Sequence, residues 1–259
     1  MNRYITSAIR RVSNAWPTKP VFSRLSAPVA SFTFDDFPHT AWTNGAPILE
    51  SFGVRGTYFV AHAFSPESLD KFPDTEVMTG VSYYELDDIV AAHTKGHEIG
   101  CHTFDHKRVS QQNNYELLDS IDRNAEFVKH LLGDVIMTSF AYPQGNVSIG
   151  AKRFLSRKFS VCRGTQAGIN AKLLELSQLK CFNLDANFDK NSIDALIKET
   201  KLRNGWIIFN THDVIDFPSP YGCTPELLYA VVAAVAASGI EILPIKHALG
   251  RAMFRPIAR

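Results

Sequence analysis

At 259 residues with 45% apolar content, the chain can bury the core of one large α/β domain or two small ones. Its 27 basic and 26 acidic residues leave a net charge of +1, which argues against nucleic acid or another large polyanion as partner. Cys101, Cys162, Cys181 and Cys223 stand far apart with no CxxC pair, so reduced, mostly buried thiols are expected, and neither a disulfide framework nor a Cys-rich zinc site.

Residues 1–27 mix basic, polar and proline residues without a stable period and read as an arm lying on a single domain of residues 28–259. No apolar stretch of signal-peptide type follows Arg3, Arg10 and Arg11, so a cytoplasmic location is expected. The predicted strands are VASFTF, GTYFV, HEIGCH, SFAYP, FSVCRG, CFNLD, WIIFN and EILPI. Helices fall between them with their ends signalled. SYYELDDIVAAHTKG starts on Ser82 and Glu85 at capping-box spacing and stops at Gly96. NNYELLDSIDRNAEFVKHLLG repeats the logic with Asn113, Glu116 and Gly133, and TPELLYAVVAAVAASG has Thr224 as cap, Pro225 at the first helical position and Gly239 as stop. Its apolar run is too short and too Ala-rich to span a bilayer. Strands alternating with helices predict a parallel sheet covered by helices. With no Gly-rich phosphate loop after the first strand, the expected fold is an α/β, distorted or incomplete (β/α) barrel of seven or eight mostly parallel strands.

Barrel active sites form at the C-terminal ends of the strands. Those ends carry Asp35 and Asp36, then CHTFDH, AYPQG and NTHD, so polar and metal-competent residues gather on one rim. Two adjacent carboxylates after a buried strand raise each other's pKa unless a cation or strong donors compensate. His102 and His106 are four apart and would share a face of one helical turn. Taken alone, such a pair is more often two independent surface histidines. Beside a buried strand and with Asp36 available, it makes a two-nitrogen, one-oxygen set suited to zinc or a similar divalent ion. Neighbouring side chains in an extended segment point to opposite sides, so one aspartate can hold the ion while the other takes a proton from the water it activates.

TFDD, HTFDH, FAYPQG and WIIFNTHD, in that order over roughly residues 29–245, resemble the motifs of the polysaccharide deacetylases, carbohydrate esterase family four. The resemblance implies a distorted (β/α) barrel, a divalent metal, usually Zn²⁺, and hydrolysis of an N-acyl group, acetyl first, on an amino sugar. It makes Asp35 the general base, Asp36, His102 and His106 the metal ligands and His212 the general acid. The backbone N–H near Tyr142 would stabilise the oxyanion. Two positions depart from the pattern. Ala141 stands where many members have an arginine steadying the base, and Arg163 on a neighbouring strand end is expected to replace it. Phe37 stands where a glycine is usual and is expected to wall the cleft. Phe37, His39, Tyr142 and Asp213 are the substrate-binding candidates, Trp42, Tyr142, Phe217 and Tyr221 the candidate sugar platforms, and Asp185 a weak candidate for orienting His212.

Other readings keep the metal but take a formamide or non-sugar amide, or make the chain a disabled, sugar-binding scaffold. A cytoplasmic location would suit a nucleotide- or lipid-linked N-acylated sugar.

Overall fold

The structure, a computed structural model, describes residues 11–68 and 83–253. Its strands are β1 (Pro20–Phe22), β2 (Val29–Asp35), β3 (Thr57–Val60), β4 (Glu98–Cys101), β5 (Ser139–Ala141), β6 (Val161–Arg163), β7 (Leu173–Glu175), β8 (Phe182–Asn183), β9 (Trp206–Thr211) and β10 (Glu241–Ile242). The helices are α1 (Ala46–Ser51), α2 (Leu86–Thr94), α3 (Asn114–Leu132), α4 (Ile149–Lys158), α5 (Ile193–Leu202), α6 (Pro225–Ala237) and α7 (Ile245–Met253). No helix among the described residues is long and apolar enough to cross a membrane.

Eight strands form one parallel sheet in the order β6-β5-β4-β3-β2-β9-β8, with β10 beside the start of β2. The sheet curls into an incomplete barrel. Opposite β2 the ring is closed by an irregular segment: Leu179 N–H donates to the Cys162 carbonyl of β6 and Gly164 N–H to the Leu179 carbonyl, after which the same chain enters β8 beside β9. This is the expected distorted (β/α) barrel.

All seven residues of β2 are buried, so the alternation of Ala30, Phe32 and Phe34 with Ser31, Thr33 and Asp35 separates two buried faces, one apolar and one polar, and not a core face from a solvent face. Ala30, Phe32 and Phe34 pack outward with Leu49 of α1, Ile89 of α2 and Val231 of α6. Val29 packs inward with Phe59, Trp206 and Ile208 over Ile245 and Ala248 of α7. Ser31, Thr33 and Asp35 share Val29's face, so a polar file climbs the barrel interior toward the C-terminal rim.

The helix ends follow their signals with one change. Asn113 accepts from Tyr115 and Glu116 N–H while Glu116 accepts from Asn113 N–H, an exchange worth about 1 kcal/mol. Thr224 accepts from Leu227 N–H ahead of Pro225. The cap of α2 is Glu85, reciprocated by Asp88, while Ser82 lies outside the described residues. Gly96, Gly133 and Gly239 adopt the positive φ of helix stops.

The antiparallel pair β1–β7 was not expected, because three residues a side carry no readable period. It is fixed by side chains. Glu175 accepts from Thr18 and Lys19 N–H, and Lys19 Nζ donates to the carbonyls of Ser156, Phe159 and Ser160 at the end of α4.

Buried His97 links β4 to α1. Gly56 N–H donates to its Nδ1 at 3.0 Å, and its Nε2–H faces Glu50 at 3.3 Å. A second proton would point Nδ1–H at a donor, and burial holds the imidazole pKa down to about 4. Because the unfolded chain takes that proton near pH 6.5, acidification from about 6.5 to about 4 favours unfolding, by on the order of 2 kcal/mol. Urea melts at pH 7 and pH 4.5 are expected to show this loss, and His97→Gln to shrink it.

Candidate active site at the strand C-termini

The polar file ends in a buried ion pair. Arg163 Nη2 of β6 hydrogen-bonds Asp35 Oδ1 across the barrel interior, and Asn210 Nδ2 of β9 reaches Asp35 Oδ2 at 3.3 Å. Asn210 is itself held by the Thr33 hydroxyl at 2.8 Å, its register partner on β2. Burial pushes the Asp35 pKa up, but the Arg163 guanidinium, aided by His102 and His212, outweighs it and holds the carboxyl below the usual range. Asp35 is therefore an anion at neutral pH.

Beyond Asp35 the chain turns through left-handed backbone at Asp36 (φ 61°) and Phe37 (φ 52°). Phe37 is the residue that a glycine would suit. Its ring goes into the core between Tyr58 (4.6 Å) and Tyr84 (5.9 Å), which offsets the strain and corrects the expectation that it walls the cleft.

His102 and His106 converge on Asp36 as expected, but not through a helical turn. Residues 102–106 form an irregular loop with positive φ at Thr103 (67°) and His106 (52°). His102 Nδ1–H donates to the Ala141 carbonyl at 2.9 Å, which leaves Nε2 as the inward lone pair, 3.3 Å from Asp36 Oδ1. His106 Nε2 lies 3.2 Å from the same oxygen. The loop is propped from α3: Phe104 is sandwiched between the His62 ring and the Arg123 guanidinium, each at 4.0 Å, and Ser120 Oγ accepts from Phe104 N–H and donates to Asp105.

His212 follows β9 with Nε2 at 3.8 Å from Asp36 Oδ2. Its Nδ1–H donates to the Tyr221 carbonyl at 3.2 Å. Asp185 does not orient it, since that carboxylate accepts from Asn187 N–H in its own turn. Asp213 is also corrected: it is buried and spends both oxygens on Ser219, at 2.7 Å and 2.5 Å, building the loop that carries Tyr221. Tyr142 is excluded from both roles expected of it. Its N–H donates to the Arg163 carbonyl, its hydroxyl donates to the Ser177 carbonyl, and the residue is fully buried. Pro143 has no N–H and Gly145 N–H is bonded to Tyr142, so Gln144, in left-handed backbone at φ 55°, carries the available amide of this turn. His39 pairs through Nδ1 with Asp88 at 2.7 Å and stays one-third exposed, apart from the cluster.

Asp36, His102 and His106 each offer a ligand atom, all within 4.8 Å of one another and all from buried residues. Burial keeps His106 neutral, with its pKa down to about 4, and Asp36 ionised well below the usual range because the histidines outweigh burial. Asp36 Oδ1 has no hydrogen-bond partner among the described residues although two imidazole nitrogens approach it. Lone pairs aimed at one buried point fit a shared divalent cation.

The polysaccharide deacetylase family profile matches residues 23–157, just over half of the sequence. The chain belongs to the polysaccharide deacetylase family. The matched stretch of this deacetylase-family chain includes Asp35, Asp36, His102 and His106, while Arg163 and His212 lie beyond it. No curated protein sequence matches the chain. In fold it is similar to PdaA of Bacillus subtilis, a family 4 carbohydrate esterase, at 14% identity and TM-score 0.56 over 96% of this chain and 90% of that one. It is similar to a family 4 acetyl xylan esterase from Clostridium thermocellum in complex with a cobalt ion, at 20% identity and TM-score 0.58 over 86% and 90% of the two chains. A mutant of a CE4 family pseudoenzyme with restored enzymatic activity also shares the fold, at 12% identity and TM-score 0.55 over 88% and 70%.

Proposed function

We propose that this deacetylase-family chain is a metal-dependent hydrolase that removes an acyl group, acetyl first, from the amide nitrogen of an amino sugar. The carrying observation is the convergence of Asp36, His102 and His106 on one point, with Asp35 and His212 beside it. These three would hold the ion, with zinc the first choice for two imidazoles and a carboxylate. When bound, a divalent ion supplies Lewis-acid polarisation of the acyl carbonyl and makes hydroxide available near neutral pH.

The chain's own residues do the rest. Asp35, kept anionic by Arg163, takes the proton of the attacking water. Gln144 N–H donates to the oxyanion of the tetrahedral intermediate. His212, its Nδ1–H held by Tyr221, gives the Nε2 proton to the departing amine. His39, steadied by Asp88, is the remaining candidate for a sugar contact, and the exposed rings of Phe217 and Tyr221 stand on the His212 loop.

The disabled-scaffold reading draws on Ala141. It loses force because a guanidinium reaches the base from the adjacent strand. Metal analysis of the purified protein and acetate release from N-acetylglucosamine oligomers test the proposal. Chelation is expected to abolish release and zinc to restore it, whereas a zinc-loaded protein inert on N-acetylated sugars would refute it. A nucleotide- or lipid-linked sugar is the further candidate substrate for the same assay.

A further inference from the structure

Tyr83, three residues ahead of α2, has no part in the arrangement above. Its ring stacks on Phe64 with centroids 6.0 Å apart, and Phe64 meets the His106 ring edge-on at 4.9 Å, so the phenol stands one ring away from a proposed ion ligand. Its hydroxyl oxygen is buried without a hydrogen-bond partner among the described residues. The adjacent Tyr84, fully buried, donates to the Ala61 carbonyl at 3.0 Å. A buried hydroxyl left open costs free energy comparable to a lost hydrogen bond, and one standing beside a proposed ion site is open to a partner from outside the chain. Burial, and then the charge of Asp36, raise the Tyr83 pKa above its usual value, so the hydroxyl stays protonated and a donor at neutral pH.

A substrate carbonyl polarised at this centre must bring its oxygen beside Asp36, His102 and His106. We propose that Tyr83 is a further catalytic residue, its hydroxyl donating a hydrogen bond to the acyl oxygen of the substrate from the His106 side. The inference rests on the hydrolase reading. It gives the oxyanion two donors from this chain, Gln144 N–H from the end of β5 and Tyr83 from the segment before α2.

Tyr83→Phe removes the donor and keeps the ring. Expected for the variant are a kcat about tenfold lower on N-acetylglucosamine oligomers with KM within about twofold, and about tenfold weaker calorimetric binding of acetohydroxamate to the zinc-loaded protein. Zinc affinity and melting midpoint should stay unchanged. Equal hydroxamate affinity in the two proteins overturns the proposal, as does a loss of turnover that tracks a loss of zinc. If the parent protein releases no acetate, the hydrolase reading fails separately, and the hydroxamate titration still decides whether Tyr83 touches an acyl oxygen.

Discussion

Asp35→Asn is expected to retain the divalent ion and to lower acetate release by about 10³-fold, within the range typical of losing a general base. The separation of effects follows from geometry. Asp35 ends β2 on the barrel's inner face against Arg163 and Asn210, whereas Asp36 opens the left-handed turn that follows and faces the two imidazoles. An asparagine at 35 still offers Arg163 an oxygen but takes no proton at neutral pH. His106→Ala should behave differently, losing ion and turnover together because a ligand is gone. The measurement is kcat beside metal content for both variants. An Asp35→Asn enzyme within tenfold of the parent would remove Asp35 from the base role, and loss of the ion in that variant would mean the two carboxylates do not divide their work.

What the sequence disclosed tracks how local each signal is. β2 and β9 are long and buried throughout, β2 with its polar residues along one face and β9 closing an apolar run on Asn210, and both form where expected. Asn113 with Glu116, and Thr224 with Pro225, mark helix starts because a cap is a contact over three residues. The approach of Asp36 to His102 and His106 was inferred from strand ends, although the route there, a loop with two left-handed residues, cannot be seen in HTFDH. The failures are questions of which way a side chain or N–H faces. Phe37, Tyr142 and Asp213 sit next to chemistry in the chain, yet each turns into the interior and is satisfied there. Asn210 was overlooked, and its signal was a polar residue closing the apolar run WIIF on the face that Thr33 shares.

Arg163→Ala is expected to lower turnover by about 10²-fold and stability by about 3–5 kcal/mol, because it strands the Asp35 charge in a buried site. A loss of both kinds could come from structural damage alone, and a second substitution separates the causes. Ala141 and Arg163 are direct register partners on the parallel strands β5 and β6. In-register neighbours project to the same face of a sheet, so a side chain at 141 enters the same interior from one strand away, and the arginine expected at 141 from the family resemblance would reach Asp35 from across a single ladder. In Arg163→Ala/Ala141→Arg the guanidinium returns to the neighbouring strand while the vacated volume at 163 gives its stem room. That double variant should recover at least about tenfold of the lost turnover, since the two positions share one partner and cannot act additively. Stability by urea denaturation and kcat should rise together. Wild-type turnover in Arg163→Ala would show that Asp35 needs no arginine. A double variant that regains stability but not turnover would leave Arg163 as a structural counter-ion and place the control of Asp35 with Asn210.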